Sequence, residues 1–81
     1  MKVRWTRTVA EHLLETPAAV VEDILHKVEL AAEFPALYPE RRRGKHGGCR
    51  WFPAASWLVH YRPLKRGIVV LAIWHGARRD A

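Results

Sequence analysis

Cysteine is nearly absent from this chain: Cys49 is the only one. No internal disulfide is available, which points to a reducing, cytoplasmic setting. Long apolar runs are missing too, and none approaches the ~20 residues needed to span a bilayer. The N-terminus lacks a charged-then-apolar signal, because Lys2 and Arg4 alternate with Val3 and Trp5. No membrane partner is therefore expected. His12, His26, His46, His60 and His75 are scattered without ligand spacing, and Cys49 has no Cys-x-x-Cys partner. Neither a metal nor a cofactor is expected. A phosphate-binding Gly-x-x-x-x-Gly-Lys-Ser/Thr loop and a serine elbow are also lacking.

Acid is the scarcest feature where it matters most. Residues 41–81 contain only Asp80 against ten Lys/Arg, a net +9, while residues 1–40 hold four Lys/Arg against seven acids, a net −3. A two-metal nuclease needs clustered carboxylates, so that mechanism is excluded. The usual partners of such a polycation are nucleic acid or an acidic protein.

What is present suits one small α+β domain spanning residues 1–81. Hydrophobic residues make up 49% of the chain, including four Trp, enough for a compact core. Lys2–Thr6 alternates polar and apolar, which predicts a strand with Val3 and Trp5 facing inward. Thr8-Val9-Ala10-Glu11 matches a capping box and predicts a helix of about two turns from Thr8. Thr16-Pro17 stops it and supplies the N-cap and first residue of the next helix. Val20, Val21, Ile24, Leu25, Val28 and Ala31 or Ala32 form that helix's apolar stripe, with Asp23 and Lys27 an i, i+4 pair outside it. The helix is expected to end before Phe34-Pro35.

The glycines and proline of residues 36–48 predict a long connection without regular structure. Cys49–Phe52 reads as a short strand. Trp57–Arg62 and Ile68–Trp74 read as a hairpin joined across Pro63–Gly67. Ile68–Trp74 has no polar alternation and is expected in the middle of the sheet, covered on both faces. The expected fold is a two-layer β-α-α-β-β-β domain, a helical hairpin packed on a mainly antiparallel sheet.

The chemistry-bearing residues cluster late in the chain. Arg62, Lys65, Arg66, His75, Arg78 and Arg79, with Arg41, Arg42, Arg43 and Lys45 of the connection, are candidates for binding a target or nucleic acid. His75, Arg62 and Arg78 have a second possible role. Imidazole moves protons near neutral pH and guanidinium stabilises a phosphorane, so the three suit metal-independent RNA cleavage. His60 shares strand parity with Arg62, and is either part of this cluster or an ordinary satisfied sheet histidine.

Several segments carry a resemblance. Met-Lys-Val-Arg-Trp-Thr-Arg-Thr at the start, Ala-Glu-Phe-Pro after the long helix, Val-His-Tyr-Arg at 59–62, and Ile-Val-Val-Leu-Ala-Ile-Trp-His-Gly-Ala-Arg-Arg-Asp at 68–80 are similar to the RelE/ParE superfamily of toxins from bacterial type II toxin–antitoxin modules. His75-Gly76-Ala77-Arg78 is the most specific part and resembles the ParE branch. The resemblance implies a toxin held in a hetero-oligomer by a cognate antitoxin. On the ParE side the implied target is DNA gyrase. On the RelE side the implied activity is ribosome-dependent, metal-independent cleavage of mRNA. RelE nucleases commonly place Tyr or His after the last strand; this tail has no Tyr, and His75 would have to serve, with Arg62 and Arg78 as phosphate clamps. The ParE side is favoured. A shortened relative that binds its partner and poisons nothing is the third alternative.

Overall fold

The computed structural model describes residues 2–42 and 48–76. The chain runs β1 (Lys2–Trp5), α1 (Arg7–Leu14), α2 (Ala18–Glu33), β2 (Arg50–Ala54), β3 (Trp57–Leu64) and β4 (Gly67–His75). The strands form one sheet in the order β1-β4-β3-β2. β1 lies parallel to β4, and the other pairs are antiparallel. The helices pack on one face, which gives the expected two-layer α+β fold.

The core lies between these layers. Ile24, Val28, Ala31 and Ala32 of α2 and Val9 of α1 meet Phe52, Val59, Tyr61, Ile68, Val70 and Ile73 of the sheet. The α2 stripe is narrower than expected, because Leu25 is turned out to 42% exposure. One residue beyond Ile24 is a rotation of about 100°, which carries Leu25 to the flank of the stripe. Lys27 makes one contact within α2 and one to the sheet. Its Nζ makes the expected pair with Asp23 at 3.1 Å and donates to the Pro53 carbonyl at 2.8 Å.

Both helix starts differ from expectation. Thr6, in extended conformation, caps α1 by accepting the Val9 N–H at 3.3 Å, so the Thr8 capping box is not used. Thr16 is buried, and its hydroxyl donates back to the His12 carbonyl at 2.7 Å. It closes α1, and α2 follows Pro17 with no side-chain cap.

The hairpin turn is tighter than the Pro63–Gly67 break suggests. β3 continues through Pro63, paired with Ile68, and only Lys65 and Arg66 make the turn. Pro63 is tolerated because the β2 register stops at Arg50↔Tyr61, leaving β3 an edge beyond that point. Gly67 has φ +145°, and a Cβ there would lie 1.8 Å from the Lys2 carbonyl oxygen. Only glycine lets β1 close against β4 at this point.

The described start of the connection, residues 36–42, pairs with the sheet, which its composition does not suggest. Glu40 bridges Arg50, the Trp51 N–H donates to Pro39 O at 3.0 Å, and the Arg41 N–H donates to Cys49 O at 2.6 Å. Residues 39–41 thereby cover the outer edge of β2.

β4 holds the least legible feature. His60 pairs with Ala72 while Tyr61 pairs with Val70, so Leu71 is an extra residue, a β-bulge. Before the bulge, even-numbered Ile68 and Val70 face the helices; after it, odd-numbered Ile73 does. Trp74 is thereby sent to the helix-free face and His75 to the helix side. β4 is central as expected but is covered on one face only. Val69, Leu71, Ala72 and Trp74 are half-buried.

Candidate functional site

Side-chain alternation sorts the sheet residues. Val3 and Trp5 of β1 pack on the core, so exposed Lys2 and Arg4 point to the helix-free face. In β3, Val59 and Tyr61 face the core, so His60 and Arg62 share the helix-free face. Arg4 and Arg62 both sit beside Val69, one in β1 and one in β3. The two guanidiniums therefore flank the central strand, their strands about 10 Å apart. The Arg62 Nη2 donates to the Cys49 sulfur at 3.8 Å, which ties its stem down over β2. Lys65 and Arg66 of the turn join Lys2, Arg4 and Leu64 in lining an open depression of about 460 Å³.

Next along the same face stands a stack of aromatic rings. The His60 ring lies 4.4 Å from that of Trp74 and 6.5 Å from that of Trp51, with interplanar angles of 15° and 23°. His60 is 1% exposed although it lies on the helix-free side. The Arg41 guanidinium donates to His60 Nε2 at 3.0 Å. An accepting Nε2 carries no proton, so the imidazole is neutral with its proton on Nδ1. His60 is thus held between two indoles as part of a fixed platform.

A second constellation lies at the far end, on the helix side. The Trp57 and His75 rings meet edge to face at 5.3 Å. His12 Nδ1 lies 3.3 Å from the Ile73 carbonyl and donates to it. These residues, with Glu15 and Trp74, line a shallow cleft of about 160 Å³. Among the described residues, no group of three or more His, Cys, Asp and Glu is close enough to hold a metal ion.

Arg62, Lys65 and Arg66 come together at the Gly67 end of the sheet. His75 does not join them. It pairs with Trp57, five positions from Arg62, a separation of about 17 Å along the strand. The bulge also puts it on the opposite face. Of the three residues suited to RNA cleavage, His75 and Arg62 thus stand apart, and Arg78 lies outside the described residues. Arg41 is engaged with His60, and Arg42 is exposed. Arg43, Lys45, Arg78 and Arg79 lie outside the described residues.

Sequence reasoning missed Lys2, Arg4, Trp51 and Trp74. The β1 alternation already signalled that Lys2 and Arg4 share a face. Their meeting with Arg62 depends on the parallel β1–β4 pairing, which no local pattern shows. Trp74 depends on the bulge.

A family model described as the ParE toxin of type II toxin–antitoxin systems matches residues 3–80. Searches among curated proteins and among solved structures return no match.

Proposed function

This chain belongs to the ParE toxin family of type II toxin–antitoxin systems, and from that premise we propose that it poisons DNA gyrase in the cytoplasm and is kept silent by a cognate antitoxin. The observation that carries this reading is the family match, which covers the chain almost from end to end. The residues that meet the target or its nucleic acid are then Arg62, Lys65, Arg66 and His75, with the basic residues before β2 and after β4.

The antitoxin has a separate place to bind. The outer edge of β1 pairs with no strand among the described residues. Beside it, Val3, Glu29, Ala32 and Glu33 line a depression of about 540 Å³. An open edge next to a helix flank that carries Glu29 and Glu33 suits a segment that folds on binding and adds a strand there.

In a supercoiling assay with purified gyrase and relaxed plasmid, micromolar toxin should block the reaction, and pre-incubation with the antitoxin should restore it. Undiminished supercoiling at that concentration would contradict the reading. Codon-phased cuts in cellular mRNA after induction would establish the nuclease alternative instead.

A further inference from the structure

We propose that the helix-free face of the sheet binds a nucleic-acid single strand, with Lys2, Arg4 and Arg62 meeting its phosphates and the half-buried Trp51 and Trp74, steadied by the buried His60 between them, meeting its bases. The proposal rests on the gyrase reading only for its biological setting. There, the toxin would grip the nucleic acid that its target handles as well as the target itself.

The charge distribution comes first. Glu11, Glu15, Glu22, Asp23, Glu29 and Glu33 all lie in the helical layer or at its caps. The described cations of the sheet face have no acid interleaved with them along β1, β3 or the β3–β4 turn. A net sequence asymmetry has become a two-sided molecule, with one layer rich in acid and the opposite face basic. Such a face attracts a polyanion, whether nucleic acid or acidic protein, and repels another basic surface.

Charge alone does not distinguish nucleic acid from an acidic peptide; the rings do. Trp51 and Trp74 are half-buried and lie near-parallel to the imidazole between them. Fixed aromatic groups beside a cationic track are the arrangement that binds single strands with little sequence preference, because every base has a stacking face. An acidic peptide gains little from such a stack. A duplex keeps its bases stacked inside and would meet only the cations. The site is also rigid. Arg41 pins the imidazole, Arg62 is held against Cys49, and all but Arg41 sit on paired strands or in the depression at their end.

The test is fluorescence anisotropy with labelled twelve-residue oligothymidine and oligouridine, and the matching duplex, read against salt with the full-length toxin. Single strands should bind at least about tenfold more tightly than duplex, a stacked base being worth roughly that factor. The slope of log affinity against log salt should be about −2 to −3, since each neutralised phosphate contributes about −0.7. Arg4→Gln with Arg62→Gln should weaken binding about tenfold and flatten the slope by about 1.4. Trp74→Ala should weaken binding about tenfold with the slope unchanged. Lys27→Gln, which removes a charge on the helical side, should bind like the parent.

Circular dichroism of each variant separates lost binding from lost folding, and Trp74→Phe should restore binding if Trp74→Ala unfolds. Preference for thymidine identifies a DNA strand as the ligand and preference for uridine an RNA strand; both support the proposal. Equal affinity for duplex, or equal loss in Lys27→Gln and the double variant, would overturn it, as would no binding at micromolar protein in low salt. Gyrase inhibition without oligonucleotide binding would overturn this inference alone and leave the family reading intact.

Discussion

Tyr61 shows how much one buried polar group settles. Its ring fills the core against Phe52 and Tyr38, and its hydroxyl donates to the Pro35 carbonyl at 2.9 Å. The bond ties the chain leaving α2 to the middle of β3. Burial is the main cause that raises the phenol above its usual value of 10.0. The unfolded chain therefore gives up this proton first as pH rises. The stability involved is complete below about pH 10 and is lost as pH climbs through the raised folded value. Tyr61→Phe should cost about 1 kcal/mol at neutral pH and flatten the alkaline limb of stability, measured by denaturant unfolding between pH 8 and 11. An unchanged limb would show that another group governs it. Tyr61's inward direction was legible from parity within β3. Its partner was not, because Pro35 is far away in sequence and a carbonyl leaves no trace in side-chain pattern.

At the scale of elements, strands and helices were readable while their junctions were not. The apolar spacing of α2 and the β-rich runs of β3 and β4 reflect burial, which a sequence records directly. Caps and turns depend on which of two neighbouring candidates tertiary contacts select. Thr6 rather than Thr8 caps α1 because β1 ends in extended backbone there. Thr6→Ala should lower stability by about 1 kcal/mol, whereas Thr8→Ala should leave it nearly unchanged; thermal melts of the pair decide. Gly67 is the tighter constraint. A Cβ at that position collides with the Lys2 backbone, and positive φ adds its own penalty. Gly67→Ala should cost about 3 kcal/mol, from the left-handed backbone and the overpacking together. That is a large share of the ~4–12 kcal/mol expected for a chain of this size. The loss should appear first as faster amide exchange in β1. Exchange that accelerates uniformly would mean that β1 is not a separately detachable strand.

The whole molecule turns a sequence asymmetry into a spatial one. A net −3 first half builds the helices and a net +9 second half builds most of the sheet, so the two layers differ in charge as well as in structure. The family and its fold could be read from the pattern of the late strands. The candidate face was half legible. Arg62, Lys65 and Arg66 stood out by charge, but the recruitment of Lys2 and Arg4 needed the parallel pairing of the first strand with the last. The shift of Trp74 to that face, and of His75 away from it, follows from one extra residue at Leu71, which no residue type announces. If an acidic antitoxin segment docks beside Lys2 and Arg4, its association rate should fall at least tenfold between low and high salt in stopped-flow mixing, because screening removes electrostatic steering. A salt-independent rate would assign that encounter to apolar contacts.

The central claim, a ParE toxin acting on gyrase, is tested most directly by the plasmid that gyrase is cutting. Purified toxin, gyrase, ATP and supercoiled plasmid should, after detergent and protease, yield linear DNA that increases with toxin and disappears when antitoxin is added first. Plasmid that stays intact and normally supercoiled at every toxin concentration would contradict the account.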